Sequence, residues 1–217
     1  MLTRMMNDIL LQIGFILFTV FMFLLMYNIP QKAFTKIRLS LRNPADFQAK
    51  RHFIQGAQLL AQARSAKDPS AASSLATSAA DEADRAIALD PKDAAAHILK
   101  SLTLEFQGFK TSALDSLDVA LSPLAKKSLS DHERGDALFK RAELKMTLAR
   151  GERVDSAVAD LVNSVRLKND NAVAFCLLGE CYETEGKTEE ARKAYEDAVR
   201  VEPRYTAARE ALVRLGS

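Results

Sequence analysis

The feature that most constrains this 217-residue chain is a spacing pattern near its carboxyl end. Residues 172–205 read AVAFCLLGECYETEGKTEEARKAYEDAVRVEPRY. Phe175, Leu178, Gly179 and Tyr182 share one face of a first helix, and Gly186 breaks it. Ala191, Tyr195 and Ala198 then mark one face of a second helix that ends near Pro203. Gly179 and Ala191 are small where two antiparallel helices cross closely, while Phe175, Tyr182 and Tyr195 fill the wider gaps. A lone helix pair cannot bury so broad an apolar face, so the pattern requires roughly three or more copies stacked together.

The copies lie upstream. Residues 94–127 put Leu104, Gly108, Ala113, Leu117 and Ala120 where Tyr182, Gly186, Ala191, Tyr195 and Ala198 stand, with His97 and Ser101 departing at the bulky and glycine places. Residues 135–171 supply Leu138 and Ala142, then Ala157, Leu161 and Ser164, across a long turn at 149–153. The first unit, 50–93, is the least regular: Phe53, Ala57 and Leu60 open it and Ala79, Ala83, Ala86 and Pro91 close it, with extra residues between. Asp68-Pro69 reads as a helix start and predicts an elongated second helix over 69–89. Ser130 and Glu133 form a capping-box pair that extends the first helix of the third unit backwards. Residues 206–217 are expected to form a closing helix over the apolar end of the stack.

The series Phe175, Leu178, Gly179, Tyr182, Ala191, Tyr195, Ala198, Pro203 resembles the tetratricopeptide repeat, a helix–turn–helix unit of ~34 residues, with Phe175 in the place usually held by tryptophan. The resemblance implies an all-α chain whose residues 50–205 form a right-handed α-solenoid of four units: 50–93, 94–127, 135–171 and 172–205. Composition agrees. Eight Gly and six Pro are too few for a turn-dense β chain, and hydrophobic residues make up 48%.

A second constraint lies at the amino end. After a short tail, 1–8, the run ILLQIGFILFTVFMFLLMYNI from Ile9 to Ile29 carries no charge. At ~1.5 Å per residue it covers roughly 31 Å, the hydrocarbon thickness of a bilayer. It exceeds the apolar core of a cleaved signal and lacks the amphipathic, Arg-rich character of a transit peptide, so a single-pass transmembrane helix is expected. Lys32, Lys36, Arg38 and Arg42 follow it closely, whereas Arg4 before it is offset by Asp8; the positive-inside rule therefore puts the carboxyl-terminal domain in the cytosol. Residues 30–49 form a basic juxtamembrane linker, of which 31–42 read as an interfacial helix (Ala33, Phe34, Ile37 and Leu41 inward), a solvated linker or a short strand. The remaining body is mildly acidic, which argues against nucleic-acid binding.

Catalytic readings fail on inventory. His52, His97 and His132 are scattered, no Gly-rich phosphate loop exists, and Cys176 with Cys181 lacks the partners of a zinc site, so neither enzyme, metal nor cofactor is expected. Binding is what the architecture offers. By the resemblance, the concave groove is lined by Arg51, Ile54, Gln55 and Gln58; by Ile98, Leu99, Leu102 and Phe106; by Phe139, Lys140, Glu143 and Met146; and by Val173, Cys176, Leu177 and Glu180. Ile54, Ile98, Leu99, Leu102, Phe106, Phe139, Met146, Val173 and Leu177, with Lys140, form the expected partner-binding set.

Family members that grip acidic chaperone tails use a Lys/Asn/Arg clamp, whose places here hold Ile54, Gln58, Leu99, Asp136 and Lys140, so that ligand does not fit. An apolar or amphipathic protein segment is expected instead. The expected function is a membrane-anchored adaptor. Alternatives are an organelle-surface receptor or chaperone for hydrophobic targeting segments, and a structural subunit of a membrane complex; residues 31–49 could also fill the groove.

Overall fold

The computed structural model describes residues 44–149 and 154–216. The expected transmembrane helix, the linker up to residue 43 and most of the turn at 149–153 lie outside them. Among the described residues no helix is long and apolar enough to cross a membrane. The chain divides into two units, 1–47 and 48–217; of the first, only the opening turn of one helix is described.

Nine α-helices appear among the described residues: α1 (Pro44–Ser65), α2 (Pro69–Leu89), α3 (Ala94–Phe106), α4 (Lys110–Ala120), α5 (Asp131–Ala149), α6 (Val154–Leu167), α7 (Ala172–Thr184), α8 (Thr188–Val201) and α9 (Thr206–Gly216). From α2 onward each helix packs on the next in sequence, the signature of a solenoid rather than a bundle closed around one core. The core is correspondingly a chain of clusters. Leu60, Ala79, Ala83 and Leu99 form one; Ala142, Ala157, Leu161, Leu178 and Cys181 another; Phe175, Ala191, Tyr195, Ala198, Ala208 and Ala211 the last.

Local chemistry places the helix ends. Asp68 accepts hydrogen bonds from the backbone N–H groups of Ser70 and Ala71, and Pro69 sits in the first turn, where its missing N–H costs nothing. Ser130 and Glu133 close their capping box: Glu133 Oε2 accepts from the Ser130 backbone N–H at 2.8 Å and its hydroxyl at 2.7 Å. Gly108 and Gly186, at φ +88° and +73°, make the same left-handed turn in their two repeats.

Helix α1 begins at Pro44, earlier than the expected boundary at 50. Proline is suited to the first turn of a helix, where its missing N–H costs nothing, and Asp46 in that turn favours the helix dipole. Residues 44–49 are therefore helix rather than linker.

The close crossings are real contacts. A Cβ built on Gly179 would lie 2.6 Å from Tyr195 Cε1, so the tyrosine ring of α8 rests on the backbone of α7. Tyr195 thus packs within its own repeat as well as toward the next. In the third unit Ser164 Oγ donates to the Gly135 carbonyl at 2.8 Å, and a Cβ on Gly135 would meet Lys168 Cβ at 2.8 Å.

Candidate functional site: a groove between the first helices of three repeats

Among the described residues an apolar recess, a groove of about 580 Å³, lies between α1, α3 and α5. Its floor is Leu60, Leu99 and Ala137, each at most 4% exposed. Phe53, Ile98, Leu102 and Phe139 stand half-buried around the floor, presenting apolar surface to the opening. The space exists because Ala57, Ala61, Ala95 and Ala137 occupy places where longer side chains would close the gap between neighbouring helices. Arg64 borders it on α1, and Glu133, Asp136 and Lys140 on α5.

The charged border is already organised. Lys140 Nζ donates to Glu143 at 2.7 Å and pairs with Glu105 of α3 at 2.9 Å, spanning two walls. Partial burial works against its charge, but the bonds to Glu143 and Glu105 outweigh that, and its pKa is raised. Asp136 receives two hydrogen bonds from Lys168 Nζ, at 2.7 and 2.9 Å. Glu133 is held below the usual carboxylate range by the Ser130 hydroxyl and then the Ser130 backbone N–H.

Of the ten residues expected to bind a partner, Ile98, Leu99, Leu102, Phe139 and Lys140 come together in this groove. Leu99, at 4% exposure, belongs to its floor and to the core below. The others lie elsewhere. Ile54 is exposed on a separate, polar recess with Arg51, Gln55 and Gln58. Phe106 is exposed beside Phe109 and the start of α2. Val173 is exposed outside the groove, and Met146 and Leu177 pack against the Ala142–Leu161–Cys181 cluster. Cys176, placed in the groove by the sequence pattern, is 3% exposed and packed among Phe175, Tyr195 and Ala208.

Phe53, Ala57, Leu60 and Ala61 also line the groove and were not among the residues expected there; the signal was the alanines set among bulky neighbours. Burial raises both thiols, Cys176 and Cys181, to about 11, which leaves them inert.

Two polar networks escaped sequence reading. Asp160, 5% exposed, accepts from Arg141 Nε at 2.8 Å and Lys145 Nζ at 2.6 Å, and Arg141 also reaches Asp118, so α4, α5 and α6 are tied at one point. Tyr195 donates its hydroxyl to Glu183 at 2.7 Å, and Arg214 donates to the same oxygen at 2.6 Å, clasping α9 to the last repeat.

A family model described as "Tetratricopeptide repeat" matches residues 172–205, the pair α7–α8. The chain carries a tetratricopeptide repeat. No curated protein matches the chain in sequence. Among solved structures, a MamA protein superposes with a TM-score of 0.61 at 15% identity, covering 77% of this chain and 80% of that one. The MamA 41-end chain from Desulfovibrio magneticus RS-1 gives 0.60 at 16%, covering 78% and 84%. PilF of Pseudomonas aeruginosa gives 0.59 at 16%, covering 79% and 68%. At such identities the likeness is one of fold. The stacked repeats around the groove share that fold, and the described residues hold no cluster of three or more His, Cys, Asp or Glu able to bind a metal ion.

Proposed function

We propose that the protein is a membrane-anchored adaptor: residues 9–29 span the bilayer, the repeat domain faces the cytosol, and the α1–α3–α5 groove captures an apolar or amphipathic segment of a protein partner. The groove carries the reading. Half-buried Phe53, Ile98, Leu102 and Phe139 around a buried apolar floor are surface that a bound apolar face would cover, at roughly 25 cal/mol per Å² before ordering costs. The tetratricopeptide repeat supports it, since stacked helix pairs expose a continuous concave face for protein segments. The anchor rests on the charge-free run 9–29 and its basic flank.

Capture is tested with the full chain in nanodiscs and a fluorescent amphipathic peptide. Ala61 is exposed and lines the groove, so Ala61→Trp fills it without entering the core, and capture should fall at least tenfold with melting unchanged. Undiminished capture rejects this groove. Leu102→Glu is a harsher version: Leu102 packs against the Leu60–Leu99 cluster, so stability falls with it. Topology is tested by protease on intact organelles, where a repeat domain protected until detergent is added would refute the cytosolic orientation.

A further inference from the structure

Resting on that groove reading, we propose that the occupant is a cationic amphipathic segment of a partner protein, apolar on one face and carrying Lys or Arg along the flank that meets α5. Residues Glu133, Asp136, Lys140 and Glu143 recur at intervals of three and four along α5, so they form one stripe on that helix. The first three border the groove, and the fourth is bonded to Lys140. Acids dominate the stripe. Lys140 is shared by two carboxylates, Glu143 and Glu105, and Asp136 is matched by Lys168. Glu133 has the capping bonds from Ser130, both on Oε2, and those leave its negative charge in place. Around this border four carboxylates, Glu133, Asp136, Glu143 and Glu105 of α3, thus face two ammonium groups, Lys140 and Lys168, while the groove's other cation, Arg64, stands on α1.

This arrangement selects by sign. A cation on the ligand flank meets Glu133, the carboxylate of the α5 stripe that has no basic partner, whereas an acidic tail would have to displace both partners of Lys140. The apolar floor supplies most of the affinity, and the acidic wall supplies discrimination and orientation, as charges at the rim of an interface do.

Three fluorescent peptides with one shared apolar face and a flank of Lys, Gln or Glu are titrated against the full-length protein in phosphatidylcholine nanodiscs, a neutral bilayer that does not itself attract cations. At about 0.05 M salt the Lys peptide should bind at least about tenfold tighter than the Gln peptide, and the Glu peptide weakest. At about 1 M salt, where screening acts over ~3 Å, the Lys advantage should shrink to about twofold. Glu133→Gln keeps a capping-box residue and should cut the Lys advantage roughly threefold. Equal binding of the Lys and Gln peptides, or preference for the Glu peptide, overturns the cationic assignment and leaves the groove reading standing. Binding by none of the three, or binding indifferent to Ala61→Trp, overturns both.

Discussion

Adding a single methyl at Gly179 should destabilise the protein, although alanine is the better helix former. A Cβ there would sit 2.6, 2.7 and 2.9 Å from Cε1, Cζ and Cδ1 of Tyr195, about 1 Å inside ordinary carbon–carbon contact at ~3.5–4.0 Å. The ring has nowhere to go. It is 0% exposed, packed among Phe175, Ala191, Ala198 and Ala208, and tethered by its hydroxyl to Glu183 at 2.7 Å. Overpacking of this kind costs ~1–3 kcal/mol, and the helix propensity of Ala over Gly returns ~0.8–1.0. The net loss is therefore up to about 2 kcal/mol, a drop of up to roughly 8 °C in melting temperature for a domain of this size. Circular dichroism melts of parent and Gly179→Ala measure it. The double variant Gly179→Ala/Tyr195→Leu should lose less than the sum of its single changes, because the smaller side chain vacates the space. A Gly179→Ala protein melting at or above the parent, or strict additivity in the cycle, would refute the crossing of α7 and α8 described above.

Ser130→Ala removes the hydroxyl from the capping box and should cost ~1 kcal/mol by urea titration; an unchanged midpoint would mean that the start of α5 is held by other contacts. Glu183 is kept below its ordinary pKa by the Tyr195 hydroxyl and by Arg214, so its contribution is present above the unfolded carboxylate value of ~4.3 and is lost as pH falls through the lower folded value. Glu183→Gln should thus be less stable than the parent at pH 7, with the gap closing in acid; a gap that persists at pH ~2 contradicts the assignment. Cys176 and Cys181, buried and with pKa near 11, should resist thiol reagents at neutral pH until the chain is unfolded, and rapid labelling of the native protein would show that α7 opens.

What the sequence determined by itself was local and periodic. Helix periodicity, the caps at Asp68 and Ser130, the turns at Gly108 and Gly186 and the small residue at Gly179 each depend on residues a few positions apart, and the helices began or turned where these indicated. The repeat signature at 172–205 was legible for the same reason, since one supersecondary unit contains its whole pattern. The groove was only half legible. Repeat register grouped Ile98, Leu102 and Phe139, which line one recess, but a one-dimensional frame treats every unit alike, and these units differ. The alanines at 57, 61, 95 and 137 left space between three first helices, while Met146, Leu177 and Cys176 at nominally equivalent places were packed into the core. The pairings of Lys140 with Glu105, Asp160 with Arg141 and Glu183 with Arg214 join residues far apart in the chain. Which charge meets which is fixed by how neighbouring helices rotate as they stack, and only the tertiary structure decides that rotation.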